Sequence, residues 1–154
     1  MPRPLRPGKH FTWDELTRTA QPLPNEIPNE EVAANLVRLC SVILDPLREA
    51  IKQPLFVTSG FRSLAVNTAV GGSATSPHPL GLAADVKCAG LTSLQLAQVL
   101  VDAGIKFDQA IHYDRSRGGH LHVGLPTPGR SFRQQILHAR GGVSGYATSA
   151  LAAK

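Results

Sequence analysis

Apolar residues recur along the chain in two rhythms. Val32, Leu36, Leu39, Ile43, Leu47 and Ile51 return every three or four positions, which draws one stripe down a long helix. Asn29 is placed to cap it, and Glu30 and Glu31 fall in the first turn, where the helix dipole favours acids. Pro46 sits inside the stripe and is expected to kink or briefly break the helix. Packing alone accounts for this segment. Leu94, Leu96, Ala97, Leu100 and Val101 mark a second helix, begun by Thr92 or Ser93 and ended by Gly104. Thr12 and Glu15 form a capping box for a short helix, with Phe11 and Leu16 as its hydrophobic staple; Pro22 and Pro24 bar its extension. Another short helix, capped by Ser63, is expected within residues 61–70.

The other rhythm is the compact apolar run. Residues 55–59, 82–88, 107–113 and 121–125 read as strands. Residues 114–119, Asp-Arg-Ser-Arg-Gly-Gly, are turn-rich, so the last two strands are expected to form a hairpin. Residues 132–139 read equally as a strand or a short helix. No internal repeat is present. Helices and antiparallel-leaning strands mixed in this order predict an α+β domain.

Composition narrows the class. A chain of 154 residues with 42% hydrophobic content suits one globular domain. Residues 1–10 read as a flexible basic arm and residues 141–154 as a flexible, small-residue tail. No apolar run approaches the ~20 residues of a membrane span, and the first ten residues lack the apolar region of a secretory signal. The expectation is a protein made in the cytoplasm and not inserted in a membrane. Net charge is +5, but the 16 Lys and Arg residues form no stripe and aromatics are only 5%. That argues against nucleic acid and fits a general attraction to anionic surfaces such as bacterial cell wall. Cys40 and Cys88 lie in apolar contexts and are expected as reduced, buried thiols.

Candidate chemistry gathers at two places. His78 and Asp85 stand seven positions apart with Gly81 between them, and Gly81 permits a close backbone turn. His120 and His122 lie at strand spacing and share a face. His, Asp and one more His make an allowed zinc set with one position left for water. In such a site the ion polarises a carbonyl and lowers the pKa of its water toward ~7.

Ser76-x-His78-x-x-Gly81-x-Ala83-x-Asp85 together with His120-x-His122 resembles the zinc D-alanyl-D-alanine peptidase family, and within it the small single-domain, endolysin-like cell wall peptidases of phages and bacteria. Phe11-Thr12-x-x-Glu15-Leu16, Leu44-Asp45-Pro46-Leu47-Arg48, Thr58-Ser59-Gly60-Phe61-Arg62-Ser63, residues 67–72 and Phe107-Asp108-Gln109 extend the resemblance over residues 11–140. It implies a Hedgehog/D-Ala-D-Ala-peptidase-like α+β fold, a small antiparallel sheet carrying a zinc site and flanked by helices. It implies Zn2+ held by His78, Asp85 and His122, with Arg62 binding substrate or stabilising the oxyanion. Ser76 is expected to hydrogen-bond a ligand or substrate, or to cap its loop. Many relatives carry a glutamate base where Tyr113 stands here. With an ordinary pKa of ~10, tyrosine is a poor base at neutral pH, which leaves His120, Asp114 or no effective base. The implied activity is hydrolysis of an amide bond in a peptidoglycan stem peptide, of carboxypeptidase or endopeptidase type, by a monomer acting on the cell wall as a phage endolysin or virion-associated enzyme. The other expectation is a zinc-binding module that docks on cell wall without turnover.

Overall fold

The computed structural model describes residues 3–142 and 145–148. Residues 143, 144 and 149–154, most of the expected tail, lie outside the described residues.

The long apolar stripe becomes a continuous helical rod. α2 (Glu30–Leu39) passes through a π-helical turn, Cys40–Leu44, into α3 (Asp45–Ile51). Leu36, Leu39, Ile43 and Leu47 are fully buried along it. The rod does not break at Pro46. A proline has no N–H and its ring collides with the carbonyl four residues back. The wider turn just before it, closed by the Asp45 N–H donating to the Cys40 carbonyl, absorbs that conflict. Asn29 caps the rod through Val32 N–H at 2.9 Å, as expected. α1 (Trp13–Thr17) carries the complete Thr12–Glu15 capping box.

Residues 3–10, read from sequence as a loose arm, are held against this rod. The Asp45 carboxylate, 6% exposed, accepts the backbone N–H groups of Lys9 at 2.9 Å and His10 at 3.1 Å. Arg3 pairs with Glu30, and Trp13 Nε1 donates to the Pro4 carbonyl. A proline-rich, charged segment has little apolar surface to dock with, so its composition reads as disorder; backbone hydrogen bonds to one buried acid do the docking instead.

The sheet has six strands in the order β1-β2-β4-β3-β5-β6, formed by β1 (Phe56–Ser59), β2 (Ala83–Lys87), β3 (Gln109–Tyr113), β4 (Leu121–Gly124), β5 (Gln135–Ala139) and β6 (Ala147–Thr148). Every pairing is antiparallel except β3 with β5. β3 and β4 are the predicted hairpin. The ambiguous segment 132–139 resolves as β5, because it finds β3 to pair with along its whole length. α4 (Leu64–Ala69) is capped by Ser63, and α5 (Ser93–Asp102) by Thr92.

Strand alternation divides the sheet into two chemistries. Ala84, Val86, Ala110, Leu121 and Val123 point into the hydrophobic core, on the face where α5 packs against β3 and β4. Asp85, His122 and Ile111 lie opposite one another across β2, β4 and β3, on the other face.

Candidate metal centre

Two neighbouring strands and one turn build the centre. Asp85 on β2 and His122 on β4 are direct cross-strand partners, so the sheet register alone sets them side by side. His78 arrives from a 3-10 turn, His78–Leu80, that ends at Gly81 with φ +73°. A Cβ on Gly81 would stand 2.7 Å from the Val32 carbonyl oxygen. Both the left-handed backbone and the close approach to α2 therefore require glycine there.

His78, Asp85 and His122 are all buried, and one donor atom from each lies within 4.8 Å of the others. Asp85 Oδ1 is 3.0 Å from His122 Nδ1 and 3.4 Å from His78 Nε2. The other nitrogen of His78, Nδ1, is 2.7 Å from the Gly60 carbonyl. Only a donor satisfies a carbonyl, so this contact places the proton on Nδ1 and leaves the Nε2 lone pair facing Asp85. Two imidazole nitrogens and a carboxylate oxygen, converging and screened from water, fit the donor set of zinc.

The second oxygen of Asp85 is engaged elsewhere. Arg62 Nη2 reaches Oδ2 at 3.2 Å, while its Nε donates to Ser59 Oγ at 2.9 Å and its Nη1 to Asn67 Oδ1 at 3.1 Å. The guanidinium thus braces the carboxylate from behind and ties β1 and α4 to it. Burial alone would push Asp85 up; the hydrogen bond from His122 overcomes this and holds the carboxyl below its usual range. Asp85 stands ionised, as a ligand must.

The remaining predicted residues divide. His120 lies on the same face, its Nε2 3.9 Å from Asp85 Oδ2, with its side chain 21% exposed. Burial lowers its pKa, partly opposed by Asp85. Tyr113 stacks on the His120 ring at 4.2 Å between centroids, and its hydroxyl meets that of Tyr146 at 3.1 Å. Burial and the Tyr146 hydrogen bond push the Tyr113 phenol upward, so it stays neutral. Ser76 accepts the His78 N–H at 3.3 Å and so caps its own loop. Asp114 is not brought to the metal face. Its neighbour Tyr113 points there, so alternation turns Asp114 the other way, where Oδ1 takes His138 Nε2 at 2.6 Å and Oδ2 takes the Gly141 N–H.

Sequence reasoning had not assigned roles to the Gly60 carbonyl, Ser59, Asn67 or Tyr146. Ser59 and Asn67 lay inside quoted motifs, a usable signal. A backbone carbonyl and a tyrosine in a small-residue tail offer none.

The sequence model of the family described as peptidase M15 matches residues 9–123, a span that takes in every side chain of the metal group. The chain belongs to that family. M15 peptidases are zinc-dependent, and the buried His78–Asp85–His122 group is where this M15 chain has the ligands for the ion. No curated protein matches the chain.

Proposed function

We propose that this M15 protein hydrolyses an amide bond in peptidoglycan stem peptides, on a Hedgehog/D-Ala-D-Ala-peptidase-like fold. The observation that carries the reading is the buried His78–Asp85–His122 group with a partly exposed imidazole, His120, beside it. When bound, zinc supplies Lewis acidity there, polarising a carbonyl and making water a stronger acid. His120 takes the proton of the attacking water at Nε2 and returns it to the leaving amine. Tyr113 holds the His120 ring by stacking, which keeps that nitrogen aimed at the cleft. Arg62 fixes the orientation of Asp85 and contributes positive charge near the developing oxyanion. Ser76 shapes the loop that presents His78 and borders the substrate. Asp114 has no part in the proton transfer, since its carboxylate is committed to His138 and Gly141. In this reading the protein is a monomeric, endolysin-like cell wall enzyme of phage type, with carboxypeptidase or endopeptidase specificity.

Zinc content followed by mass spectrometry of digested muropeptides tests this. One zinc per chain and new amine termini at a single bond type are expected. His120→Ala should lower turnover by about 10²–10⁴-fold with zinc retained, and Asp114→Ala should leave the chemical step intact. Full zinc occupancy without any new terminus would sink the enzyme reading. It would favour instead a zinc-binding module that docks on cell wall, which the absence of a carboxylate at Tyr113 motivates.

A further inference from the structure

His120 has little of its own to hold it still. It follows Gly118 and Gly119, both with positive φ, and a Cβ on Gly118 would stand 2.9 Å from His120 Nδ1. Among the described residues no group hydrogen-bonds its ring, and Asp85 Oδ2 lies 3.9 Å from Nε2, beyond hydrogen-bond reach. The restraint on the imidazole is the Tyr113 ring, stacked at 4.2 Å between centroids with 22° between the planes. Tyr113 is in turn held by a segment that lies past residues 9–123, the span of the family match.

Strand register carries Tyr146 to that ring. Tyr113 sits beside Ala139 in the β3–β5 pair, and Ala147 beside His138 in the β5–β6 pair. One step back from Ala147, Tyr146 falls beside Ala139 and, by alternation, on the face that bears Tyr113. The residue between the two tyrosines is thus a fully buried alanine, whose single methyl leaves room for their rings to meet above it. They do meet: the ring planes stand at 81° with centroids 6.1 Å apart, an edge-to-face contact, and the hydroxyls are 3.1 Å from each other. Arg117 spans the same two segments. Its guanidinium lies 5.7 Å from the Tyr113 ring centroid, and its Nη1 donates to the Gly145 carbonyl at 3.4 Å. Tyr146 itself is 52% exposed, so it adds little to the core.

We propose that Tyr146 is a positioning residue, which locks the Tyr113 ring against His120 so that the segment after β5 completes the reacting centre. The edge contact and the hydroxyl pair fix the angle of the Tyr113 ring, and the stack passes that angle on to the imidazole, whose aim a proton transfer depends on. The effect on rate rests on the peptidase reading; the brace on His120 does not.

The test uses the full-length, zinc-loaded chain with Tyr146→Ala, Tyr146→Phe and, as a control on the same segment, Thr148→Ala. Zinc per chain should not change in any of them. NMR reads the His120 ring protons, identified by their loss in His120→Ala and displaced by the ring current of the stacked phenol. Tyr146→Ala should move them most of the way to their positions in Tyr113→Ala. Tyr146→Phe, which keeps the edge contact and loses the hydroxyl, should move them less, and Thr148→Ala not at all. On a stem-type peptide, Tyr146→Ala should lower kcat about 10–10²-fold with KM unchanged. Unmoved His120 protons, an effect confined to KM, or an unchanged kcat in a chain that cleaves overturns the proposal. Moved protons with no cleavage even by the parent chain uphold the brace and defeat the peptidase reading. Cleavage by the parent chain with the His120 protons unmoved by Tyr146→Ala does the reverse.

Discussion

At the scale of single residues, the metal group was legible because its ligands are rare residue types at fixed spacing. His78, Asp85 and His122 come together as their motif implies. What surrounds them was less legible, because a brace depends on distance in space. Arg62 was expected near substrate, and the structure adds its three-way grip on Ser59, Asn67 and Asp85. Gly81 is the residue whose loss tests the turn. Gly81→Ala forces a side chain into the left-handed region and against the Val32 carbonyl. It should cost upward of about 1 kcal/mol in urea unfolding and weaken zinc binding, since it moves His78. Cys40 gives a pH prediction. Burial, aided by Asp45 and Glu15, pushes its thiol from 9.0 up to about 12. The fold keeps a proton that the unfolded chain releases. Its stabilising contribution is therefore complete below pH 9.0 and is lost as pH rises toward 12, at about 1.4 kcal/mol per pH unit. Cys40→Ala should flatten that part of the stability–pH curve; an unchanged slope would refute the assignment.

At the scale of elements, periodicity and caps told most of the story. Asn29, Ser63 and Thr92 all cap the helices expected of them. Two outcomes were out of reach. The π turn before Pro46 is a choice among ways of sparing one carbonyl, and the sequence names only the conflict. β5 is a strand because β3 offers it a parallel partner, a long-range pairing that local propensity does not encode. Alternation also explains why Asp114 and His120 separated as candidate bases. One strand step changes the face, and the chain needs a two-step to stay on it. Thr92→Ala tests whether the helix face and the metal face are independent. Loss of the α5 capping box should cost about 1 kcal/mol by denaturant midpoint, with zinc affinity unchanged, because α5 lies on the core side of the sheet.

At the scale of the whole molecule, the metal site is assembled from distant parts of one chain. β1 supplies Ser59, α4 supplies Asn67, and the strands supply Asp85 and His122. The amino-terminal segment is fastened at Asp45, at the junction of the π turn and α3. Asp45→Ala leaves two backbone donors without their acceptor and should cost about 1–3 kcal/mol. Faster proteolysis before residue 11 should accompany the loss. Composition had pointed to a loose segment here, since it counts apolar surface and is blind to backbone donors.

The direct pairing of Asp85 with His122 also makes the ion a gauge of correct assembly. A slip of one residue between β2 and β4 would turn His122 into the core and bring Leu121 or Val123 opposite Asp85. Such a slipped chain keeps much of its secondary structure and passes a circular dichroism test, yet it has lost a ligand. Zinc bound per folded chain therefore counts the molecules whose strands are in step. In material refolded without metal, a stoichiometry below one would measure the misaligned fraction, and refolding with zinc present should draw that fraction back toward the native register.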